Sequence, residues 1–280
     1  MNKLEKPEFG VVDVFNACID SVQDNSLKKL LSDCSQEVIN DESLYEELAS
    51  TTSLYTFPKK DTVNNAVNKS DMIKIYDYRM VGGTGRSYYD TIFQAPKQGI
   101  CPSCGEREVE TLDHVLPKKN YPTLVVTPIN LVPSCNKCNK KKSAKIALSS
   151  YDEPIHPYYD DIQTERWLYS RINRDSGIFV NYYVVEPENW DEVMIKRVKN
   201  HFAFFELGKL FSLRAALELS EKKYRLCKLH KDAGPETVKR YLEDFVEDYS
   251  SFYNNNWKKS LYECLAADDW FCNEGIYLID

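Results

Sequence analysis

Two closely spaced cysteine pairs constrain this 280-residue chain more than any other feature of its sequence. Cys101 and Cys104 form one CxxC pair, and Cys135 and Cys138 form the second. The two-residue spacer lets both sulfurs of a pair turn inward on one tight bend, so two pairs supply four thiolates to one tetrahedral Zn²⁺. A single CxxC can be a redox site, but no thioredoxin-like βαβ pattern surrounds these pairs. The sequence therefore predicts a closed structural zinc site, which contributes folding energy rather than catalysis.

The cysteine pairs lie in a basic segment of an otherwise acidic chain. The whole chain has a formal net charge of −7, whereas the segment from Lys97 to Lys145 contains nine basic and four acidic residues. Such an asymmetry is expected when one local patch meets phosphate and the rest of the surface does not.

Composition and hydropathy are those of a soluble globular protein. The chain is 42% hydrophobic and 28% charged, and it is long enough to bury a sizeable core. No apolar run is long enough to span a bilayer, and the first residues lack the apolar stretch of a signal peptide. We therefore expect a cytoplasmic protein with no membrane partner.

Helical spacing of apolar residues dominates the two ends of the chain. Asp41, followed by Glu-Ser-Leu, predicts a helix N-terminus, and residues 190–229 predict one long helix. A Gly-Pro break then places Pro235 in the first turn of a new helix. Residues 178–186 have the β-branched and aromatic content of a strand, and the glycine-rich residues 81–85 predict a loop.

Four further residues combine with the cysteines into a recognisable motif. Asp113 and His114 lie between the two pairs, Asn130 precedes the second pair, and Asn139 directly follows it. The order CxxC, DH, NL, CxxCNxxK resembles the zinc-bearing branch of the HNH endonucleases, which are also called ββα-metal nucleases. Asn139 stands where the family often has histidine, and asparagine is a common variant there.

The resemblance covers residues 78–159, and it implies both a fold and a cellular context. The implied fold is α+β and mostly α, with a central zinc-stabilised ββα core at 76–160 flanked by helical regions at 1–75 and 161–280. The run LPKKNYP from Leu116 is similar to a subtype that occurs among effector nucleases of bacterial anti-phage defence, which often work beside an ATPase.

The chemistry of phosphodiester hydrolysis fits the residues of the motif. His114 can act as the general base, because its unperturbed pKa of about 6.5 lets it accept a proton near neutrality. Asp113 is adjacent, so on an extended backbone it points to the opposite side. The resemblance implies that Asp113 and Asn139 ligate a catalytic Mg²⁺ or Mn²⁺, whose preferred ligands are hard oxygens. It also implies that Asn130 holds the loop next to His114.

Basic residues near the motif are candidates for contacts with backbone phosphates. They are Lys118, Lys119, Lys140, Lys141, Lys142 and Lys145. Two outlying residues of the resembling region, Arg86 and His156, are further candidates for binding phosphate or lying near the metal. For His156, a packed structural role is the alternative that the sequence favours.

The sequence leaves several functions open. A metal-dependent endonuclease that cuts DNA is favoured, but the motif chemistry needs no 2′-hydroxyl and equally suits structured RNA such as tRNA. A zinc-stabilised module that binds nucleic acid or protein without catalysis would keep the cysteines and lysines and leave Asp113 and His114 incidental. The acidic residues outside the basic segment repel nucleic acid, so we expect cleavage to need a partner or trigger.

Overall fold

The computed structural model describes residues 2–174, 177–250 and 254–279. The chain divides into two compact units, Met1–Asp161 and Ile162–Asp280. Helices dominate the described residues and are accompanied by small two-stranded sheets, which confirms the prediction of an α+β fold that is mostly α. None of the described helices is long and apolar enough to cross a membrane. The predicted division into three regions, at residues 75 and 160, stays a prediction.

The first unit combines helices with two short antiparallel hairpins. Its helices are α1 (Val11–Asp20), α2 (Asn25–Asp33), α3 (Ser35–Ser50), α4 (Lys69–Lys74), α5 (Arg86–Gln94) and α6 (Asn136–Lys142). Its strands are β1 (Thr62–Val63), β2 (Val67–Asn68), β3 (Thr111–His114) and β4 (Leu131–Ser134). A π-helical turn, Ile75–Met80, continues α4.

Side-chain carboxylates satisfy the free N–H groups at the starts of two helices. Asp24 accepts hydrogen bonds from the backbone of Ser26 and Leu27 at the start of α2. Glu42 of α3 accepts one from the backbone N–H of Val11, at 2.9 Å, so its negative charge lies at the positive end of α1. The hydrogen bond between Val11 and Glu42 also ties α1 to α3.

The predicted helix start at Asp41 is wrong, because α3 begins at Ser35 and runs through this position. Asp41 is buried, and its carboxylate binds the ammonium of Lys60 at 2.6 Å and the hydroxyl of Thr123. A tertiary contact therefore uses the side chain that the local pattern assigned to a helix cap.

One hydrophobic core joins the N-terminal helices to the β3–β4 hairpin. Leu112 of β3 and Leu131 of β4 pack in the same cluster as apolar side chains from α1, α2, α3 and α5. Val125 and Val126, from the connection between the two strands, also belong to it. The helices thus fix the position of the hairpin from which the candidate site is built.

The glycine-rich loop at 81–85 was predicted and is confirmed, and it is structural. A Cβ atom at Gly85 would lie 2.6 Å from the sulfur of Cys18, and one at Gly83 would lie 2.9 Å from the carbonyl oxygen of Tyr78. Only glycine allows the chain to pass this close to α1 and to the π-helical turn.

The second unit packs helices against a longer hairpin. Its strands, β5 (Leu168–Asn173) and β6 (Phe179–Val184), pair antiparallel with Leu168 opposite Val184. Its helices are α7 (Glu192–Phe204), α8 (Leu207–Ala233), α9 (Pro235–Ser250), α10 (Trp257–Ala266) and α11 (Asp269–Asn273). The predicted strand corresponds to β6, and α9 begins at Pro235 as predicted.

The prediction of one long helix over 190–229 is wrong, because the chain turns between α7 and α8. Glu206 adopts a left-handed conformation with φ of 53°. The turn allows α8 to pack on β6, where the ring of Phe211 lies 5.5 Å from that of Tyr182. The sequence marks this break only weakly, since no proline stands at the turn and the nearby Gly208 lies within α8.

Candidate metal and catalytic site

The four paired cysteines converge at the base of the β3–β4 hairpin. Cys101 and Cys104 lie on the turn before β3, and Cys135 and Cys138 lie at the start of α6. All four are buried, and their sulfur atoms lie within 4.8 Å of one another. Thiolates that share one Zn²⁺ at about 2.3 Å lie about 3.8 Å apart. The four-cysteine cluster therefore fits the ligand set of a tetrahedral zinc ion.

Local backbone geometry turns the sulfurs inward. The backbone N–H of Arg107 donates to the sulfur of Cys104, and that of Cys138 donates to the sulfur of Cys135, both at 3.4 Å. Gly105 has a φ of 65°, a conformation that glycine adopts without strain, so the chain can turn tightly after Cys104. Hydrogen bonds within the cluster lower the pKa of Cys101 and raise the pKa of Cys138. A bound cation would favour the thiolate form of all four.

The motif pair Asp113-His114 lies at the end of β3, where it is paired with β4. Asp113 is opposite Val132, and His114 is opposite Leu131. Both side chains are buried, with 8% and 7% of their surface exposed. They meet different surroundings: Asp113 meets α6, while His114 meets the π-helical turn and the connection between the strands.

A single hydrogen bond determines which nitrogen of His114 can act as a base. Its Nε2 atom lies 2.9 Å from the carbonyl oxygen of Val125. Because a carbonyl oxygen only accepts hydrogen bonds, Nε2 carries the hydrogen, and Nδ1 keeps its lone pair in the neutral ring. The His114 side chain makes no other hydrogen bond to the described residues. Nδ1 is therefore the nitrogen that can accept a proton.

Burial keeps the His114 ring neutral. It lowers the pKa of His114 to about 3; the hydrogen bond to Val125 opposes this decrease, and the nearby Lys118 and Lys142 add to it. At neutral pH the ring is therefore unprotonated, which is the state that a general base needs.

Asp113 is paired with a lysine from α6. The ammonium of Lys142 lies 3.4 Å from the Asp113 carboxylate and also donates to the carbonyl oxygen of His114. Burial raises the pKa of Asp113 to about 6, although Lys142 opposes the increase. Lys142 is itself 7% exposed, and burial lowers its pKa. Its charge therefore points into the site, not towards solvent.

Asn139 lies one helical turn before Lys142 on α6. Residues three apart share a helix face, so Asn139 faces the same side as the lysine that contacts Asp113. Its side chain is half-buried and makes no hydrogen bond to the described residues. The amide oxygen of Asn139 is thus available to a ligand near Asp113.

Asn130 closes the connection between the two strands. It is fully buried, and its side-chain oxygen accepts a hydrogen bond from the backbone of Leu116 at 2.7 Å. Its amide nitrogen donates to the carbonyl oxygens of Leu116 and Leu124, both at 3.1 Å. The loop that presents the Val125 carbonyl to His114 is therefore held by this one side chain.

The remaining lysines have different surroundings. Lys119, Lys140 and Lys145 are exposed, and Lys141 is partly exposed. Lys118 binds the carboxylate of Asp77, with its ammonium 4.6 Å from the centre of the Tyr76 ring. Lys118 therefore lies against the π-helical turn, which contains both Asp77 and Tyr76.

The two outlying candidates have local partners. His156 is buried, and its Nε2 atom lies 2.9 Å from the hydroxyl of Tyr45 while its Nδ1 atom accepts from the backbone of Tyr158. This is the packing of a structural histidine. Arg86 starts α5, where it binds Asp90 at 2.8 Å and the carbonyl oxygen of Val81 at 2.9 Å.

Sequence reasoning missed Tyr76. Its ring packs edge-on against the His114 ring, with 4.5 Å between centroids. Nothing in the sequence distinguishes it from the other eighteen tyrosines, because its position depends on the π-helical turn. Such turns occur often at functional sites.

Comparison with known proteins agrees with this geometry. Residues 101–145, which include β3, β4 and α6, match the model of the HNH endonuclease family. The chain is 29% identical over 296 residues to protein ea31 of Escherichia phage lambda, covering 97% of this chain and 99% of that protein. It is 46% identical over 50 residues, 18% of each chain, to Septu protein PtuB of Bacillus thuringiensis. No solved structure matches it significantly. The chain therefore carries an HNH endonuclease domain at residues 101–145, with a four-cysteine cluster at its base.

Proposed function

We propose that this chain is a metal-dependent endonuclease that hydrolyses phosphodiester bonds, with DNA as the favoured substrate. The observation that carries the proposal is the hydrogen bond from Nε2 of His114 to the Val125 carbonyl. It leaves Nδ1 of a neutral ring as a proton acceptor, and the neighbouring residue Asp113 offers a buried carboxylate for a cation. Hydrolysis by activated water uses both a base and a cation.

Asp113 and Asn139 are the residues that would hold a catalytic divalent cation. One offers a buried carboxylate and the other an amide that makes no hydrogen bond to the described residues. Carboxylate and amide oxygens suit Mg²⁺ or Mn²⁺. A cation bound there supplies charge stabilisation to the phosphate and the leaving oxygen. The four-cysteine cluster would hold a structural Zn²⁺, which fixes α6 relative to β3.

His114 performs the proton transfer. Its Nδ1 atom takes a proton from water as the water oxygen bonds to phosphorus, the bond from phosphorus to the leaving oxygen breaks, and the leaving oxygen takes a proton from solvent water. The resulting imidazolium donates to the Val125 carbonyl through Nε2 and loses its added proton to solvent after the product leaves. The negative charge of a bound phosphate raises the pKa of His114 above its value in the free chain.

The exposed lysines beside the site would bind the nucleic-acid backbone. Lys119, Lys140 and Lys145 are on the surface, as contacts to phosphate require. Lys142 is buried against Asp113, so we assign it to the interior of the site and not to phosphate.

We further propose a role in anti-phage defence, with a partner such as an ATPase. The support is the LPKKNYP resemblance and the 50-residue similarity to Septu protein PtuB. The acidic composition outside the HNH domain disfavours unassisted binding of nucleic acid, so the isolated chain is expected to cut weakly.

A cleavage assay with His114→Ala tests the enzyme. Wild type and variant are incubated with supercoiled DNA, single-stranded DNA and total tRNA, in Mg²⁺, in Mn²⁺ and in EDTA. Metal-dependent cutting of DNA that the variant lacks is the expected result. Cutting of tRNA alone would replace DNA by RNA as the substrate.

The matched control is His230→Ala, at a histidine of the second unit that binds Asn273 and Tyr277. It should cut as wild type does. If His114→Ala binds nucleic acid but wild type never cuts it, even with a partner recovered from the native cell, the chain is a binding module.

A further inference from the structure

The π-helical turn Ile75–Met80 presents one side chain directly to the general base. The carbonyl oxygen of Tyr76 accepts the backbone N–H of Val81, five residues on, at 3.0 Å. Tyr76 is 6% exposed, and its ring meets the His114 ring at an angle of 71°. The edge-on packing of this ring therefore helps to hold the His114 ring in place.

The Tyr76 hydroxyl is a hydrogen-bond donor without a partner among the described residues. It is not enclosed, unlike the hydroxyl of Tyr121, which is fully buried and also unpaired. Buried tyrosines usually place their hydroxyl on a partner. An accessible, unpaired hydroxyl next to the general base is thus available to a ligand.

The electrostatic surroundings of Tyr76 keep its hydroxyl protonated. Burial raises its pKa well above the ordinary value, and Tyr89, Asp77 and Asp113 add to the increase. The ammonium of Lys118 lies 4.6 Å from the centre of the same ring, so a positive charge accompanies the ring that packs on His114.

We propose that Tyr76 is a catalytic residue whose hydroxyl donates a hydrogen bond to a non-bridging oxygen of the scissile phosphate. The proposal rests on the proposed nuclease function. Tyr76 gives up no proton and forms no bond in this role. It stabilises charge that grows on the phosphate in the transition state, and loss of one such donor typically slows a reaction by about 10²–10³-fold.

Tyr76→Phe tests the hydroxyl without removing the ring. The phenylalanine keeps the packing on His114, so the melting temperature and the zinc content should equal those of wild type. Cleavage of the substrate that wild type cuts best should slow about 100-fold. The matched control is Tyr121→Phe, which removes an unpaired hydroxyl enclosed elsewhere in the unit and should cut at the wild-type rate.

Equal cleavage rates for wild type and Tyr76→Phe would overturn the proposal. A slow Tyr76→Phe that has also lost zinc or melts earlier would overturn it as well, because the hydroxyl would then be structural.

Failure of the proposed function is recognised separately, since wild type would then cut nothing under any condition. In that case the contact with phosphate is tested by the affinity for a labelled DNA oligonucleotide, measured by fluorescence anisotropy in Ca²⁺. Affinity several-fold weaker for Tyr76→Phe/His114→Ala than for His114→Ala supports the contact with phosphate. Equal affinity, or no binding by either variant, overturns it.

Discussion

The two longer hairpins of this chain are stabilised in different ways. The strands of β5–β6 have six residues each and pack aromatic side chains on helices, as where Tyr182 meets Phe211. The strands of β3–β4 have four residues each and bury Asp113, His114 and the neighbouring Asn130. An isolated two-stranded hairpin is at best marginally stable in water. The first is also tied to α10 by the buried Ser260, whose hydroxyl donates to the Leu168 carbonyl oxygen. The second packs in the core of the first unit and ends at the four-cysteine cluster, so we expect only the second to depend on a bound metal.

The largest expected difference between the hairpins is their dependence on metal. Cys138→Ser should remove the zinc and with it the cooperative melting of the first unit, because structural zinc sites contribute about 10 kcal/mol or more. Atomic absorption measures the zinc content, and calorimetry of the full chain measures the melting. Cys227→Ser, outside the cluster on α8, is the control and should keep both. Unchanged melting in Cys138→Ser would show that helix packing alone holds β3–β4.

Asn130→Ala should destabilise the chain by about 4 kcal/mol, because it removes three buried hydrogen bonds, two of them to the N–H and the carbonyl oxygen of Leu116. It should also slow cleavage, since the loop that orients His114 is released. Asn181→Ala, on β6, is the matched change in the other hairpin and should cost under about 1 kcal/mol. Urea unfolding measures both, and equal losses would refute the special role of Asn130.

Lys142→Met should cost about 2 kcal/mol at neutral pH, because it leaves the buried Asp113 carboxylate unpaired. The folded-state pKa of Asp113, already raised to about 6, should rise further, so the folded variant binds a proton that the unfolded chain releases. Its stability deficit should therefore shrink as the pH falls towards about 6, and change little below that pH, where Asp113 is protonated in both folded proteins. The exposed Lys140→Met is the control on α6, and a deficit that does not depend on pH would contradict this ion pair.

Metal affinity should fall in acid. The carboxylate of Asp113 must be ionised to ligate a cation, and its pKa is raised to about 6. Below that pH, affinity for Mn²⁺ should decrease about tenfold per pH unit. Paramagnetic resonance titrations of Mn²⁺ on the zinc-loaded chain measure it. Asp113→Asn should bind more weakly and show no such slope; a slope retained in that variant would identify another titrating group.

The smallest effect is expected in β5–β6. Tyr183 lies opposite Tyr169, with 6.3 Å between the ring centroids, and is partly exposed. Tyr183→Ala should cost about 0.5 kcal/mol in thermal unfolding, the usual size of a cross-strand pair. A loss as large as that of Asn130→Ala would mean that the two hairpins do not differ as described.

Local sequence signals were sufficient where a short motif fixes the backbone. The spacing of the four cysteines predicted a cluster, and the structure brings their sulfurs together. The start of α9 at Pro235 followed from the same kind of signal. These features depend on residues close in sequence, so they can be predicted without knowledge of the fold.

Features that depend on distant contacts were not predictable. Asp41 carries a cap-like pattern but binds Lys60 and Thr123, so the fold overrides the local signal. Lys142 stands in a basic run that favours solvent, and its direction depends on how α6 lies against β3. Tyr76 meets His114 through the packing of the π-helical turn on the β3–β4 region, and no periodic pattern shows that contact.

The close approach of Gly85 to Cys18 restricts which substitutions these two positions accept. The backbone at 85 approaches the thiol so closely that Gly85→Ala would displace the turn carrying Tyr76, and would mimic an active-site lesion from a position without catalytic chemistry. Cys18→Ala removes the tightest contact, at 2.6 Å, but leaves Met80 Cα at 3.1 Å and the Arg79 carbonyl oxygen at 3.2 Å, so it would suppress that lesion in part. In lineages of this protein, an alanine at position 85 should therefore be found together with a smaller side chain at position 18.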